Sequence, residues 1–295
     1  MKIYGAGLAG LLAGCHFQRA TIYEAGPEDT VNHKAVLRFR SSAVGDSVGI
    51  DFRKVRVHKN LWDGKVVLPS IQNANWYSQK VIGRLADRSI WKLDPVDRFI
   101  APDDFIGQLA ERCEGRIVWN HTVSSVELCN SEVPAVSTLP MSVVAGMLGV
   151  KHDHRFIHEG ITVKRWRVPN ADVFQTVYFP SMETSLYRAS ITGDLLIAEY
   201  AGEADDYDLF AAFGISEAMC VPIEKVSQRY GKIAPIDEVW RKQFIFDLTT
   251  KHNIYSLGRF GTWRNLLLDD VLKDIYVLKK LMKTSAYERS KINVA

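Results

Sequence analysis

The chain has only four cysteines in 295 residues: Cys15, Cys113, Cys129 and Cys220. They stand far apart with no C-x-x-C pair, which excludes a zinc knuckle or disulfide framework as the organising principle and fits a reducing compartment. No apolar run approaches the roughly 18 residues of a membrane span. The amino terminus breaks into glycines and the polar "CHFQRA" where a signal peptide needs an uninterrupted apolar stretch, so a cytoplasmic protein is expected. The formal net charge of +3 is too small to argue for nucleic acid by itself. There is no internal repeat and no low-complexity linker, so two domains, if present, are interleaved and not joined in series. With 47% hydrophobic and 24% charged residues, the composition is that of a globular protein able to bury a large core.

What is present begins at once. "KIY", "GAGLAG", "LLAGCHFQ" and "ATIYEAG" read as strand, turn, helix and strand, because Leu8, Leu11, Leu12 and Cys15 recur at helical spacing and "TIYE" is β-branched or aromatic. "APDDFIGQLAERCEG" has Pro102 at a first helical position, two acids in the first turn, apolar Phe105, Ile106, Leu109 and Cys113, and Gly115 past the end. A helix is expected there, followed by strands at "RIVWN", "TVSSVEL" and "AVSTLP". From about Arg155 to Tyr200, "ITVKRWRV", "VFQTVYF", "SLYRASI" and "LLIAEY" alternate as an antiparallel sheet does. "ADDYDLFAAFG" reads as a short helix. "NIYSLG" reads as a strand leading into a last helix with Val271, Ile275, Leu278 and Met282 on one face. Asp269 and Asp270 near its start and Lys279, Lys280 and Lys283 near its end suit the helix dipole.

Gly5, Gly7 and Gly10 make G-x-G-x-x-G, with Leu8 and Ala9 inside it. Alone, the motif also fits a loop of small residues packed on a helix. Here it lies between strand and helix, Gly14 adds a small residue one turn later, and Glu24, followed by Ala25, ends the second strand 19 residues after Gly5. The glycines let backbone reach a pyrophosphate at the helix start, and the acid accepts from a ribose, so a dinucleotide is expected.

The carboxyl-terminal "NIYSLGRFGTWRNLLLDDVLKDIYVLKKL" repeats strand, Gly-Arg turn and helix. Together with the first glycines and Glu24, it resembles the UDP-galactopyranose mutase and amine-oxidase branch of FAD flavoproteins, within the glutathione reductase-type Rossmann superfamily. The resemblance covers residues 1–26 and 252–282, with weaker matches between. It implies FAD, with Gly258 and Arg259 at the pyrophosphate, and Leu267, Leu268 and Asp269, with Asn265 nearby, beside the flavin ring and ribityl chain. "NHTVSSVEL" resembles the strand whose backbone meets the adenine, which puts Val123 there, and "STLP" resembles the segment where the cofactor domain resumes. The fold class implied is α/β. A mostly parallel FAD-binding domain (1–50, 96–150 and 250–295) is interleaved with a smaller antiparallel-sheet substrate domain (51–95 and 151–249). Two features depart from the family: "EAGPEDTVNHKAVLRFRSS" stands where a second pair of glycines and a basic residue are usual, and the chain is short. No second G-x-G-x-x-G occurs, which argues against an NAD(P)H domain and favours oxidation by oxygen, an internal redox cycle or a mutase-type reaction.

Between Lys34 and Lys59 the chain holds seven Lys or Arg against two Asp. Arg38 and Arg40 alternate around Phe39, so on a strand they share one face. That pattern fits a solvated basic edge, or an anion site where either arginine holds the cofactor's pyrophosphate or, for Arg40, a substrate's acidic group. Tyr178, Tyr187 and Arg188 resemble the sheet that roofs the flavin, and Trp263 in "GRFGTW" joins them as a candidate substrate contact. "KHDHRFIHE" lacks a fourth ligand at suitable spacing, so no metal is expected. "KRWRV" has the texture of a nucleic-acid surface but equally that of a solvent-facing strand.

The function these features imply is a FAD-dependent oxidoreductase taking a hydride from a C–N bond of an amine or amino-acid-like substrate, acting as oxidase or lyase. The alternatives are a mutase-like sugar-nucleotide enzyme using reduced FAD and a nucleic-acid-binding flavoprotein with an accessory role. The short form also resembles small flavoproteins of bacterial viruses, which makes an amine carried on a DNA base a substrate to try. No membrane partner is expected, the assembly is a monomer or homodimer, and no catalytic acid or base stands out.

Overall fold

The computed structural model describes residues 1–28, 34–86, 90–129 and 133–292. The first half runs β1 (Lys2–Tyr4), α1 (Leu8–His16), β2 (Thr21–Tyr23), α2 (Ala43–Val48), β3 (Arg53–Trp62), β4 (Val66–Val67), α3 (Ile71–Ile82), β5 (Val96–Ile100), α4 (Phe105–Glu111), β6 (Ile117–Val118), α5 (Ser125–Cys129), β7 (Ala135–Ser137) and α6 (Met141–Met147). The second runs β8 (His158–Arg167), β9 (Val173–Tyr178), β10 (Leu186–Gly193), β11 (Leu195–Tyr200), β12 (Val221–Ile233), α7 (Glu238–His252), β13 (Ile254–Ser256), α8 (Gly258–Gly261) and α9 (Leu268–Ile292).

Five short strands form an all-parallel sheet in the order β13-β7-β1-β2-β6. Ile3 of the central β1 stands opposite Ile22 and Val136. All three are fully buried, as strands covered on both faces must be. Side-chain alternation sends Ile3 toward α1, α4 and α9, where it packs with Leu11, Leu109 and Ile275, and sends Tyr4 toward α6 and α7, where it packs with Val144 and Phe244. The face expected on the last helix is present: Val271, Ile275 and Leu278 are buried and Met282 packs beside them.

A larger sheet runs β12-β8-β11-β10-β9-β3-β4, with β5 paired to β3. It is antiparallel except where β3 runs parallel to β9. One face carries α3 with Leu61, Val163 and Ile197 beneath it, and the other packs Trp166, Leu196 and Phe210. Elements contributing to the two sheets alternate along the chain. β5, expected with the cofactor layer, hydrogen-bonds to β3 in the larger sheet. α7, expected with the substrate layer, packs on β13 and brings Phe244 and Leu248 into the core that holds Tyr4.

Two segments differ from their sequence expectation. Residues 125–129 are helical, not extended, because Ser124 Oγ accepts from the Glu127 N–H at 3.1 Å and the Ser124 carbonyl accepts from Leu128, a cap that outweighs the β-branched valines. Residues 204–214 form turns and a 3-10 helix at Ala211–Phe213, with Asp205 and Asp208 bonding locally and to Trp62 in place of a regular helix. No helix among the described residues is long and apolar enough to cross a membrane.

Gly14 marks the closest approach of α1 to its neighbours: a Cβ there would lie 2.5 Å from Ile22 Cδ1 and 2.8 Å from Cys113 Sγ. Gly14→Ala is therefore expected to destabilise the fold by about 1–3 kcal/mol through overpacking, read as a lowered midpoint in urea unfolding.

Candidate functional site

The turn after β1 is built by steric exclusion. Gly5 adopts φ +95 and donates to the Tyr23 carbonyl at 2.8 Å, and a Cβ on Gly10 would stand 1.8 Å from the Gly5 carbonyl oxygen. Gly7 caps α1 with extended backbone, and a Cβ on it would meet nothing within 4 Å. The first N–H groups of a helix have no intrahelical acceptor, so Leu8, Ala9 and Gly10 present donors and a positive dipole end beside that open space. Glu24 closes the turn from β2. Its two carboxylate oxygens accept from the N–H groups of Ala6 at 2.7 Å and Gly26 at 3.0 Å, and each oxygen keeps capacity for another donor. Ala25 beside it is exposed. Residues 120–121 run alongside, donating to Gly26 and Glu24, but Val123 points into the core with Tyr4, and its segment is not a strand.

The late element returns to the same place. Gly258 has φ +79, and a Cβ on it would lie 2.8 Å from Ala9 Cβ, so only glycine lets α8 reach the start of α1. The Arg259 guanidinium donates to the carbonyls of Gly231 and Leu266, both at 3.2 Å, and thereby ties α8 to β12. Asn265 and Leu267 are exposed and Leu268 is half-buried at the start of α9. Asp269 is buried; its Oδ1 accepts from the N–H groups of Arg40 at 3.0 Å and Ser41 at 3.2 Å, while its Oδ2, equally enclosed, has no hydrogen-bond partner. Trp263 does not reach a substrate position: it is 2% exposed, packs edge-on to Phe156 and spends its indole N–H on the Ala234 carbonyl at 2.9 Å.

Arg38 and Arg40 do not act as a pair. Only Phe39 makes a strand-like bridge, to Phe99, and the two side chains go to different partners. Arg40 forms a bidentate pair with Asp270, at 2.6 and 3.1 Å. Arg38 lies on the larger sheet, donating to Thr176 and Thr192 hydroxyls and to the Gln175 and Ile191 carbonyls. Burial, with Arg188 nearby, pulls its guanidinium down to about 10.

Tyr187 is fully buried and donates to Glu199 at 2.6 Å, and Arg188 meets the same carboxylate at 2.6 and 2.9 Å. Lys232 stands 3.9 Å from Glu199 and over the Tyr187 ring. Half-buried Tyr178 lies edge-on to Tyr77. Burial raises the Glu199 carboxyl, yet Arg188 and Lys232 overcome it and hold the group at about 2. Sequence reasoning missed Glu199 and Lys232; the signal for the former was a lone acid in the apolar "LLIAEY".

The basic residues of "KRWRV" are neutralised, Lys164 by Asp206, Arg165 by Glu224 and Arg167 by Asp194, and Trp166 is buried, so this strand offers no stacking surface. His152 and His154 stack beside Trp240, and among the described residues no group of three His, Cys, Asp or Glu could hold a metal.

No family model matches the chain, and no curated protein matches it. Among solved structures it is similar to reduced UDP-galactopyranose mutase, at 13% identity over 89% of both chains with TM-score 0.58. It is also similar to an oxidoreductase from Methanosarcina mazei, at 10% identity over 95% of this chain and 100% of that one with TM-score 0.56. At such identities the likeness is one of fold: the chain has the Rossmann-type α/β architecture of these two enzymes.

Glu199→Gln would leave Arg188 facing a neutral group in a buried setting and is expected to cost about 3 kcal/mol in urea unfolding. Because the carboxyl is lowered from 4.5 to about 2, its contribution is fully present above the ordinary value and lost as pH falls from there through about 2. The wild type, and not the variant, is expected to show that added acid sensitivity.

Proposed function

We propose that the chain is a FAD-dependent oxidoreductase whose cofactor is held by Gly5, Gly7, Gly10, Glu24, Gly258 and Asp269. One observation carries this reading: Gly258 brings the late Gly-Arg element against Ala9 at the start of α1, so that the glycine turn after β1 and the turn before α8 meet. Gly7 faces open space at a helix start, and the enclosed Asp269 Oδ2 accepts nothing from the protein. A carboxylate oxygen held this way is costly unless a donor reaches it, and a ribityl hydroxyl is such a donor. The first-turn amides of α1 would face the pyrophosphate and Glu24 the adenosine ribose. Bound FAD supplies a two-electron acceptor for hydride.

For the substrate we infer an amine or amino-acid-like compound oxidised at a C–N bond. Support comes from the single glycine fingerprint of this sequence and from half-buried Tyr178 on the sheet face, a phenol able to line a site for a small polar molecule. A mutase-type reaction on a sugar nucleotide, without net redox change, is the second reading, favoured by the fold shared with reduced UDP-galactopyranose mutase.

The purified protein is expected to be yellow with FAD absorbance, and anaerobic mixing with amines and glycine derivatives to bleach it. A colourless protein that takes up no added FAD sinks the reading. Turnover of a UDP-sugar only after dithionite reduction selects the mutase. Gly7→Val is expected to change stability by less than about 1 kcal/mol while abolishing FAD retention, measured by absorbance after gel filtration.

A further inference from the structure

The larger sheet neutralises its basic side chains with notable consistency. Arg53 meets Asp172, Lys54 and Arg56 share Asp97, Arg165 and Lys34 share Glu224, Arg167 meets Asp194, Lys164 meets Asp206, and Arg188 and Lys232 share Glu199. Three half-buried cations break the pattern. Arg38 donates only to hydroxyls and carbonyls of β9 and β10, Lys59 to the Lys92 carbonyl at 3.3 Å, and Arg98 to the Asp97 carbonyl at 2.8 Å. Among the described residues, none of the three has a carboxylate within ion-pair distance.

Their positions converge. Lys59 of β3 stands opposite Thr176 of β9, which stands opposite Ser190 of β10, and the Arg38 guanidinium rests on the Thr176 hydroxyl. Arg98 pairs with Val55, on the same side of β3 as Lys59 because alternate residues share a face. Burial lowers the Lys59 ammonium, and the charges of Arg98 and Arg38 push it the same way against the pull of Asp94. The Arg38 Nε is buried with no acceptor. Asp94 and Glu199 act on these cations only from beyond ion-pair distance, and like charges so placed form an arrangement that an anion stabilises.

We propose that Arg38, Lys59 and Arg98 form an oxyanion subsite that takes a carboxylate or phosphate group carried by the substrate. That the oxyanion belongs to a substrate rests on the flavin reading above; the charge imbalance does not. The guanidinium fork and the ammonium supply several N–H donors to such a group, as charge-assisted hydrogen bonds require.

The test is calorimetric titration of the full chain with inorganic phosphate and, separately, with acetate at constant ionic strength. Saturable binding of phosphate alone assigns a phosphate-bearing ligand, and saturable binding of acetate assigns a carboxylate. Because Arg38 anchors two strands and its loss could unfold the site, the variant is Lys59→Gln/Arg98→Gln. It is expected to weaken the binding at least about tenfold, while Lys225→Gln on the exposed edge of β12 leaves it unchanged. Absence of saturation by either anion, or unchanged affinity in the double variant, overturns the subsite. FAD absorbance is read on the same samples: a yellow protein that binds neither anion fails the subsite alone, and one that stays colourless after added FAD yet binds phosphate fails the flavin reading alone.

Discussion

The contact on which the rest of the molecule depends is the approach of α1 to the turn that precedes it. With a Cβ on Gly10 only 1.8 Å from the Gly5 carbonyl, no other residue lets the helix start where it does. That start fixes the direction of the unsatisfied amides in the first turn of α1 and leaves the Gly7 side open. It also sets where the last part of the chain can dock, since Gly258 comes against Ala9 with no room for a side chain. Two backbone approaches, at Gly10 and at Gly258, thus meet at the start of α1.

Around that junction the electrostatics are uneven. The glycine turn offers amide donors and one carboxylate, Glu24, already half-satisfied by backbone. The larger sheet instead buries full charges, and does so at tolerable cost only because acids such as Glu199 stand among them; a paired, hydrogen-bonded carboxylate with a guanidinium and a phenol is stable where an isolated one is not. The half-buried cations that lack such partners stand out against that background.

The sequence made the glycine turn, Glu24, the parallel unit and the apolar face of α9 legible because each is a local pattern: a backbone need, a fixed spacing or a 3.6-residue period. The alternating strands β8 to β11 were legible for the same reason. Failures came where distant partners decide. Arg38 and Arg40 read as one basic face, yet Asp270 takes one and the β9–β10 pair takes the other, from more than a hundred residues away. Trp263, beside the Gly-Arg turn, looked like a substrate contact until the Ala234 carbonyl and Phe156 enclosed it. At Ser125–Cys129 the expected strand is a helix, because the Ser124 cap on Glu127 N–H decides the local structure over the β-branched valines.

The segment 38–41 links the two halves of the site mechanically. Its backbone N–H groups at Arg40 and Ser41 hold Asp269 Oδ1, leaving Oδ2 as the free acceptor, and the Arg40 guanidinium grips Asp270 one residue on. Two residues earlier, Arg38 fastens the same segment to Thr176 and Thr192. A stretch this short cannot shift at one end and stay still at the other. The orientation of the acid at the start of α9 is therefore coupled to the sheet face that carries Lys59 and Tyr178.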